Sequence, residues 1–553
     1  MLHYSNFKTV KKDLEIPGLG ELTGLEFDNG SEQYLGIPYA TFPRRFAPSK
    51  VLTEWTELEK GVKRDATKYG PEGAQPYTPM FFPFQPRPWL PDDGLVVQRT
   101  DRKEMLTLNV TVPKTSKDHS KLLPVMVWIH GGANTIGGSA TCEFDGISLA
   151  TLSAEISKPT IIITLNYRLG YYGFLYSNDI RNFNLKEGFG DSANFGFWDQ
   201  VNALRWVQQY VHAFGGDPEN VTIFGQSAGS AAVNMHLWRG EKLFKRAILQ
   251  SGSISVCGID DLESADKFYF RLLDQLGIDH NLPGDARVEQ LLRIESSVMV
   301  EAQEALFKDQ EFSIVPYVID EHLFPSSGNP RIPADSGYQI PEFVDSLMIG
   351  DTYEEFGPRP EYLEKTPGPV LFAHLKQKAS PELFEILTEH YDLYPDMTRD
   401  DLSTVGTALV TDSTFALPNF SLALLISSEL PIYCFHFDQK SDFEPTKGMA
   451  HHSLDFIYIW NMFNEVFQDP RSADLSRKMG TRFLEFANGL EPWSRYEGID
   501  PKYQIFGPDG ADKVLALSED LPRKKRYEAW KKICAKGLQR EFYRVCWELG
   551  YGK

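Results

Sequence analysis

Three short runs limit this chain more than any other feature. LPVMVWIH (123–130), PTIIITLNY (159–167) and VTIFG (221–225) are apolar and β-branched at nearly every position. A strand with one wet face alternates; a strand apolar on both faces has both faces covered, as in a parallel sheet between helices. Between the second and third runs, DQVNALRWVQQYVHAF (199–214) spaces Val201, Leu204, Trp206, Val207, Val211 and Phe214 as one helical stripe. Strand, helix, strand predicts an α/β core with a doubly wound, mostly parallel sheet.

The third run leads directly into Gly225-Gln226-Ser227-Ala228-Gly229, followed by a helix-compatible segment, AGSAAVNMHLW. Alone, G-x-S-x-G is a weak pattern. Between a buried strand and a helix it describes a turn tight enough to expel side chains beside the serine and push the hydroxyl clear of the backbone. The helix N-terminus below contributes free N–H groups and partial positive charge. Ser227 is therefore the candidate nucleophile. A serine nucleophile requires donors for the oxyanion. His130-Gly131-Gly132-Ala133 follows the first apolar run, so Gly132 and Ala133, with Ala228 after the serine, are the candidate donors, and Gly131 supports them. The base and its acid follow the serine in this chain order. His374, His390, His436, His451 and His452 all remain eligible on residue chemistry alone.

Taken together, the ordered segments resemble the type-B carboxylesterases, the branch of the α/β-hydrolases that includes cholinesterases and large fungal lipases. The resemblance rests on YLGIPYA (34–40) with RRFAPS (44–49), LTLNV (106–110), NYRLGYYGFL (166–175), NFGFWDQVNALRWV (194–207), FGGDPENVTIFGQSAGS (214–230), LQSGS (249–253) and FGPDG (506–510). It implies an α/β-hydrolase fold, with a large twisted sheet, flanking helices and insertions around the site. It also implies carboxylic-ester hydrolysis through an acyl-enzyme, without cofactor or metal. The family's acid falls on Glu355 in SLMIGDTYEEFG, with Glu354 as the alternative because Phe356 replaces the following glycine. Its histidine falls on His452, since His452-x-x-Asp455-x-x-Tyr458-Ile459-Trp460 fits the pattern and His451 is out of register. The resemblance places Ser251 in support of the triad, pairs Arg168 with Asp199, and puts Asn134, Trp198, Ile314, Val315 and Tyr317 in segments that line the pocket. Acyl transfer or lactone chemistry could use the same triad. A non-catalytic binding protein on this fold would be expected to lack the serine.

Composition sets the remaining bounds. At about 150 residues per domain, 553 residues suggest three to four domains. The motifs from Tyr34 to Gly510 instead predict one catalytic domain over residues 1–553. Fifty-six basic and 76 acidic residues leave −20, which opposes binding to phosphate backbones. Leu521–Arg540 departs from this, with eight Lys/Arg against one Glu. Trp530, Cys534, Leu538, Phe542, Val545 and Leu549 predict one C-terminal helix there with a basic outer face. No apolar run suggests a membrane span of roughly 20 residues, and the N-terminus shows no apolar signal region. Five cysteines form no disulfide framework. Met105 stands where secreted relatives place a bridging cysteine, which is the expectation for a reducing, intracellular and cytoplasmic setting. The proline-rich aromatic stretch 71–91 is expected to cover the mouth of the site. The implied partner is a small-molecule ester.

Overall fold

The structure is a computed structural model. It describes residues 8–55, 63–76, 98–114, 121–307, 315–320, 322–323, 339–355, 367–443 and 446–550. Most of the proline-rich stretch, including Trp89, lies outside these residues, as do Ile314 and Phe356.

A thirteen-stranded sheet organises the chain. Twelve strands are β1 (Thr9–Ile16), β2 (Gly20–Phe27), β3 (Glu32–Pro38), β4 (Thr107–Val112), β5 (Leu123–Ile129), β6 (Ile161–Leu165), β7 (Gly216–Gln226), β8 (Arg246–Gln250), β9 (Ser346–Thr352), β10 (Ile432–Phe437), β11 (Lys502–Phe506) and β12 (Asp512–Ala516). The thirteenth, Arg64–Asp65, pairs with β2. The spatial order is β1-β2-β3-β4-β6-β5-β7-β8-β9-β10-β11-β12. From β6 to β11 every neighbouring pair is parallel. Antiparallel strands close both ends.

The apolar runs form the centre of the parallel part. Val125–Ile129 of β5 pairs with Ile161–Leu165 on one side and Val221–Gly225 on the other. Alternation along β5 feeds two cores. Val125, Val127 and Ile129 join one apolar cluster, while Met126 and Trp128 join a second across the sheet. In the second, Trp128 meets Trp460 edge-on, with ring centroids 5.6 Å apart. Burying each such large apolar side chain contributes about 1.5–3 kcal/mol, so neither face of β5 tolerates a polar residue.

Seven helices position the site. They are α1 (Phe195–Tyr210), α2 (Ala228–Arg239), α3 (Arg399–Thr411), α4 (Leu417–Ile426), α5 (Leu454–Trp460), α6 (Leu521–Ala535) and α7 (Gln539–Gly550). A π turn, Asp412–Ala416, joins α3 to α4. The helical run Thr404–Ile426 is long and apolar enough, by length and composition, to cross a membrane, although the sequence suggested no span. Pro418 would ordinarily interrupt a helix because it lacks the N–H that bonds back four residues. Here Ser255 Oγ donates to the Thr414 carbonyl at 3.4 Å, and the π turn carries the helix through. Most of the run is buried in protein.

The C-terminal expectation is corrected in two respects. The apolar stripe is shared by two helices, because Gly537 turns the backbone left-handed at φ 69° between α6 and α7. The basic run is not all on the outer face. Arg523 is buried between Asp438 and Asp520, and Arg526 pairs with buried Asp412. Carboxylates at the ends of β10 and α3 draw these cations inward, while Lys525 and Lys532 stay at the surface.

Candidate active site

Ser227 sits between β7 and α2 at φ 57°, ψ −125°, a conformation that side chains other than glycine rarely adopt. The surrounding chain enforces it. A Cβ on Gly225 would lie 2.5 Å from the Gly229 carbonyl, and one on Gly229 would lie 2.1 Å from the Ile129 oxygen. Both glycines of the motif are thus required by the approach of β7, α2 and β5. The Ser227 N–H donates to Gln250 O at 2.9 Å, and its carbonyl accepts from Ala231 N at 2.9 Å, which opens α2.

The loop after β5 passes directly beside this serine. A Cβ on Gly131 would lie 3.2 Å from Ser227 Cβ. Gly132, Ala133 and Asn134 all have positive φ, at 101°, 57° and 59°. Among the described residues, nothing accepts a hydrogen bond from the N–H of Gly132, Ala133 or Ala228. The loop is held from behind. The His130 ring stacks on Tyr167 with centroids 4.4 Å apart, and the Tyr167 hydroxyl donates to His130 O at 2.8 Å. Burial pushes the His130 imidazole down to about 4, so it stays neutral and its Nδ1 donates to Gly131 O. Asn134 differs from the expected polar pocket residue. It is fully buried, and its Nδ2 donates to Val315 O at 3.1 Å while Val315 N donates to Ala133 O at 3.2 Å. Its amide ties down the loop.

Glu355 and His452 meet at the ends of β9 and α5. Glu355 Oε2 lies 2.5 Å from His452 Nδ1, and Oε1 accepts from Thr352 N at 2.7 Å. The Glu355 side chain is fully buried. Glu354 is occupied elsewhere. Its carboxylate accepts from Ala450 N at 3.0 Å, and its backbone pairs with Ala450 and His452. Glu354 therefore fastens the segment that carries the histidines. His451 turns away, its Nδ1 bonded to His452 O, and burial pushes it down to about 4. Among the described residues, the ring nitrogens of His452 bond Gln226 and Glu355 rather than the Ser227 hydroxyl. His452 Nε2 faces Gln226 Nε2 at 3.1 Å. Hydrogen bonds of this kind are often long before substrate binds.

The remaining sequence candidates are dispersed. Arg168 and Asp199 form the expected buried pair, with Nε to Oδ2 at 2.7 Å. Ser251 is buried at φ 49°, and its hydroxyl lacks the expected hydrogen bond; only its N–H is engaged, with Gly350 O at 2.8 Å. Trp198 is half-buried under the Arg239 guanidinium, 4.5 Å from the ring. Val315 and Tyr317 are buried, and Tyr317 packs edge-on against Phe174. Residue reasoning missed three neighbours of the pair. Gln226 faces the His452 ring, Phe415 packs against it with centroids 4.8 Å apart, and Thr411 Oγ1 accepts from Glu355 N at 3.2 Å. Gln226 was visible inside the motif. Phe415 and Thr411 belong to a distant helix and carried no signal.

Asp455, one turn beyond His452, is buried and accepts from Gln250 Nε2 at 3.0 Å. Burial, together with the nearby Glu355 charge, pushes its carboxyl up to about 6. A carboxyl raised on folding binds its proton more tightly in the native chain, so stability falls as pH rises through that value. Asp455→Asn retains the Gln250 contact. It is expected to be near neutral at pH 4 and to gain up to about 3 kcal/mol over the parent by pH 8. Denaturant midpoints across that range check this, and a difference independent of pH would refute it.

Residues 12–531 match the Carboxylesterase family. Lipase 3 of Yarrowia lipolytica (strain CLIB 122 / E 150) is 29% identical over 94% of this chain and 97% of its own length. The para-nitrobenzyl esterase of Bacillus subtilis (strain 168) is 31% identical over 84% and 88%. Among solved structures, a PNB esterase superposes with a TM-score of 0.70 at 25% identity, covering 93% of this chain and all of that one. A carboxylesterase of Geobacillus stearothermophilus gives 0.70 at 25%, covering 93% and 99%.

Proposed function

The chain belongs to the carboxylesterase family of carboxylic ester hydrolases, and from that premise we propose that Ser227, His452 and Glu355 hydrolyse small-molecule esters through an acyl-enzyme, within one catalytic domain. The observation that carries the proposal is the short Glu355–His452 contact set beside a serine on a strained turn, next to three unengaged backbone N–H groups. His452 takes the Ser227 proton at Nε2 as the oxygen attacks the ester carbonyl. The carbonyl oxygen becomes an oxyanion facing the Gly132, Ala133 and Ala228 N–H groups. The intermediate collapses, the C–O bond to the alcohol breaks, and His452 returns the proton to the departing alcohol. Water repeats the sequence on the acyl-serine and releases the acid. Glu355 keeps the Nδ1–H tautomer and stabilises the imidazolium. Asn134 and His130 hold the donor loop in place.

An ester panel that varies acyl and alcohol parts independently tests the substrate class. Free acid and alcohol are expected in equal amounts, with rates that depend on both parts. A product in which an added alcohol replaces water throughout would redirect the reading to acyl transfer. No turnover on any ester would overturn it.

A further inference from the structure

We propose that Arg526 is a positioning residue for ester hydrolysis: its ion pair with Asp412 holds the π turn that seats Phe415 against the His452 ring. The inference rests on the assignment of His452 and Glu355 above.

Three observations meet at this turn. Asp412 is its first residue, is fully buried, and lies in the middle of a continuous helical run. An aspartate is a poor choice there unless a partner is supplied, because an unpaired carboxylate away from water is expensive. The partner comes from the other end of the chain. Arg526 Nη1 on α6 lies 2.8 Å from Asp412 Oδ1, and the Tyr391 hydroxyl donates to Oδ2 at 2.6 Å. Burial pushes the Asp412 carboxyl up, and Arg526 pulls it back toward the charged form. Asp351 and Arg523 are the other charges that act on it.

The turn also touches the catalytic pair on both sides. Its preceding residue, Thr411, accepts the Glu355 N–H, and Phe415 lies on the His452 ring. A π turn inserts one residue and rotates everything beyond it by about 100° relative to an α-helix. Relaxation to an α-helix would therefore carry Phe415 off the imidazole while leaving Thr411 in place. Phe415, Val256 and Val410 form a small apolar cluster of their own beside the His452 ring. Asn419, in the next turn, donates to Gly350 O at 3.0 Å and docks the helix on the end of β9. The Arg526–Asp412 pair ties the C-terminal helix to the first residue of this turn, while Trp530 Nε1 on the same helix donates to Ser421 Oγ further along at 2.6 Å.

The test compares Arg526→Gln, the double variant Arg526→Leu with Asp412→Asn, and Phe415→Leu, assayed well below their melting temperatures. Arg526→Gln is expected to lower kcat about tenfold with KM nearly unchanged, the mark of lost positioning. Phe415→Leu should reproduce the fall in kcat at nearly unchanged KM and add little to Arg526→Gln. The double variant leaves no unpaired buried charge, so it is expected to fold even where Arg526→Gln does not, yet to keep the reduced kcat. A double variant with the parent's kcat and KM would overturn the proposal, leaving the pair a role in folding alone. Ser227→Ala and His452→Ala assayed in parallel separate the two levels: if these remain active, the triad assignment fails instead.

Discussion

Ser227→Ala is expected to lower kcat for short p-nitrophenyl esters by about 10⁶-fold and to abolish labelling by a fluorophosphonate probe. The residual rate should still exceed the uncatalysed one by about 10³–10⁴-fold, because unengaged N–H groups beside the site stabilise an oxyanion formed by direct attack of water. The fold should survive. The His452 ring bonds Gln226 and Glu355 and not the Ser227 hydroxyl, and the strained φ is imposed by Gly225 and Gly229 against β5. Alanine at φ 57° meets the same backbone strain as serine. The variant should therefore melt near the parent, and an inactive but unfolded variant would not count in favour. Labelling retained by folded Ser227→Ala would refute the nucleophile.

The second large effect separates neighbours in sequence. Glu355→Gln is expected to lower kcat by about 10⁴-fold, because an amide facing Nδ1 lets the imidazole adopt the tautomer that cannot accept the serine proton. Glu354→Gln should remain close to the parent in both rate and stability, since its amide oxygen still accepts the Ala450 N–H. The same contrast holds for the histidines. His452→Ala should be nearly inactive, whereas His451→Ala should retain most activity because, among the described residues, the His451 ring bonds the backbone of its neighbour rather than a carboxylate. Activity at His452→Ala with inactivity at His451→Ala would move the base by one residue.

Legibility followed the range of the interactions. β5, β6 and β7 were readable because a strand covered on both faces must be apolar at every position, and that requirement is local. The turn at Ser227 was readable for a related reason. The glycines at 225 and 229 record an approach of backbones that no side chain fits, and the flanking strand and helix lie within a dozen residues. Arg168 with Asp199 followed from family order. The single C-terminal helix failed because its apolar stripe continues in register across Gly537, where the backbone reverses its hand. Asn134 misled because a polar side chain beside an oxyanion loop fits a pocket and a loop tie equally well until its partner, Val315, is in view.

The sequence by itself thus determined the α/β-hydrolase core and marked out the candidate nucleophile and the candidate donor loop, each carried by a contiguous run whose chemistry admits few folds. The tertiary structure decided the rest. It set Glu355 rather than Glu354 against His452, and it brought Gln226, Phe415 and Thr411 around them. It also tied Asp412 to Arg526 across 114 positions. Those partners share no window and no periodicity. They are selected by burial, which leaves a carboxylate or an imidazole with only the neighbours that folding supplies, and folding supplies them from anywhere in the chain.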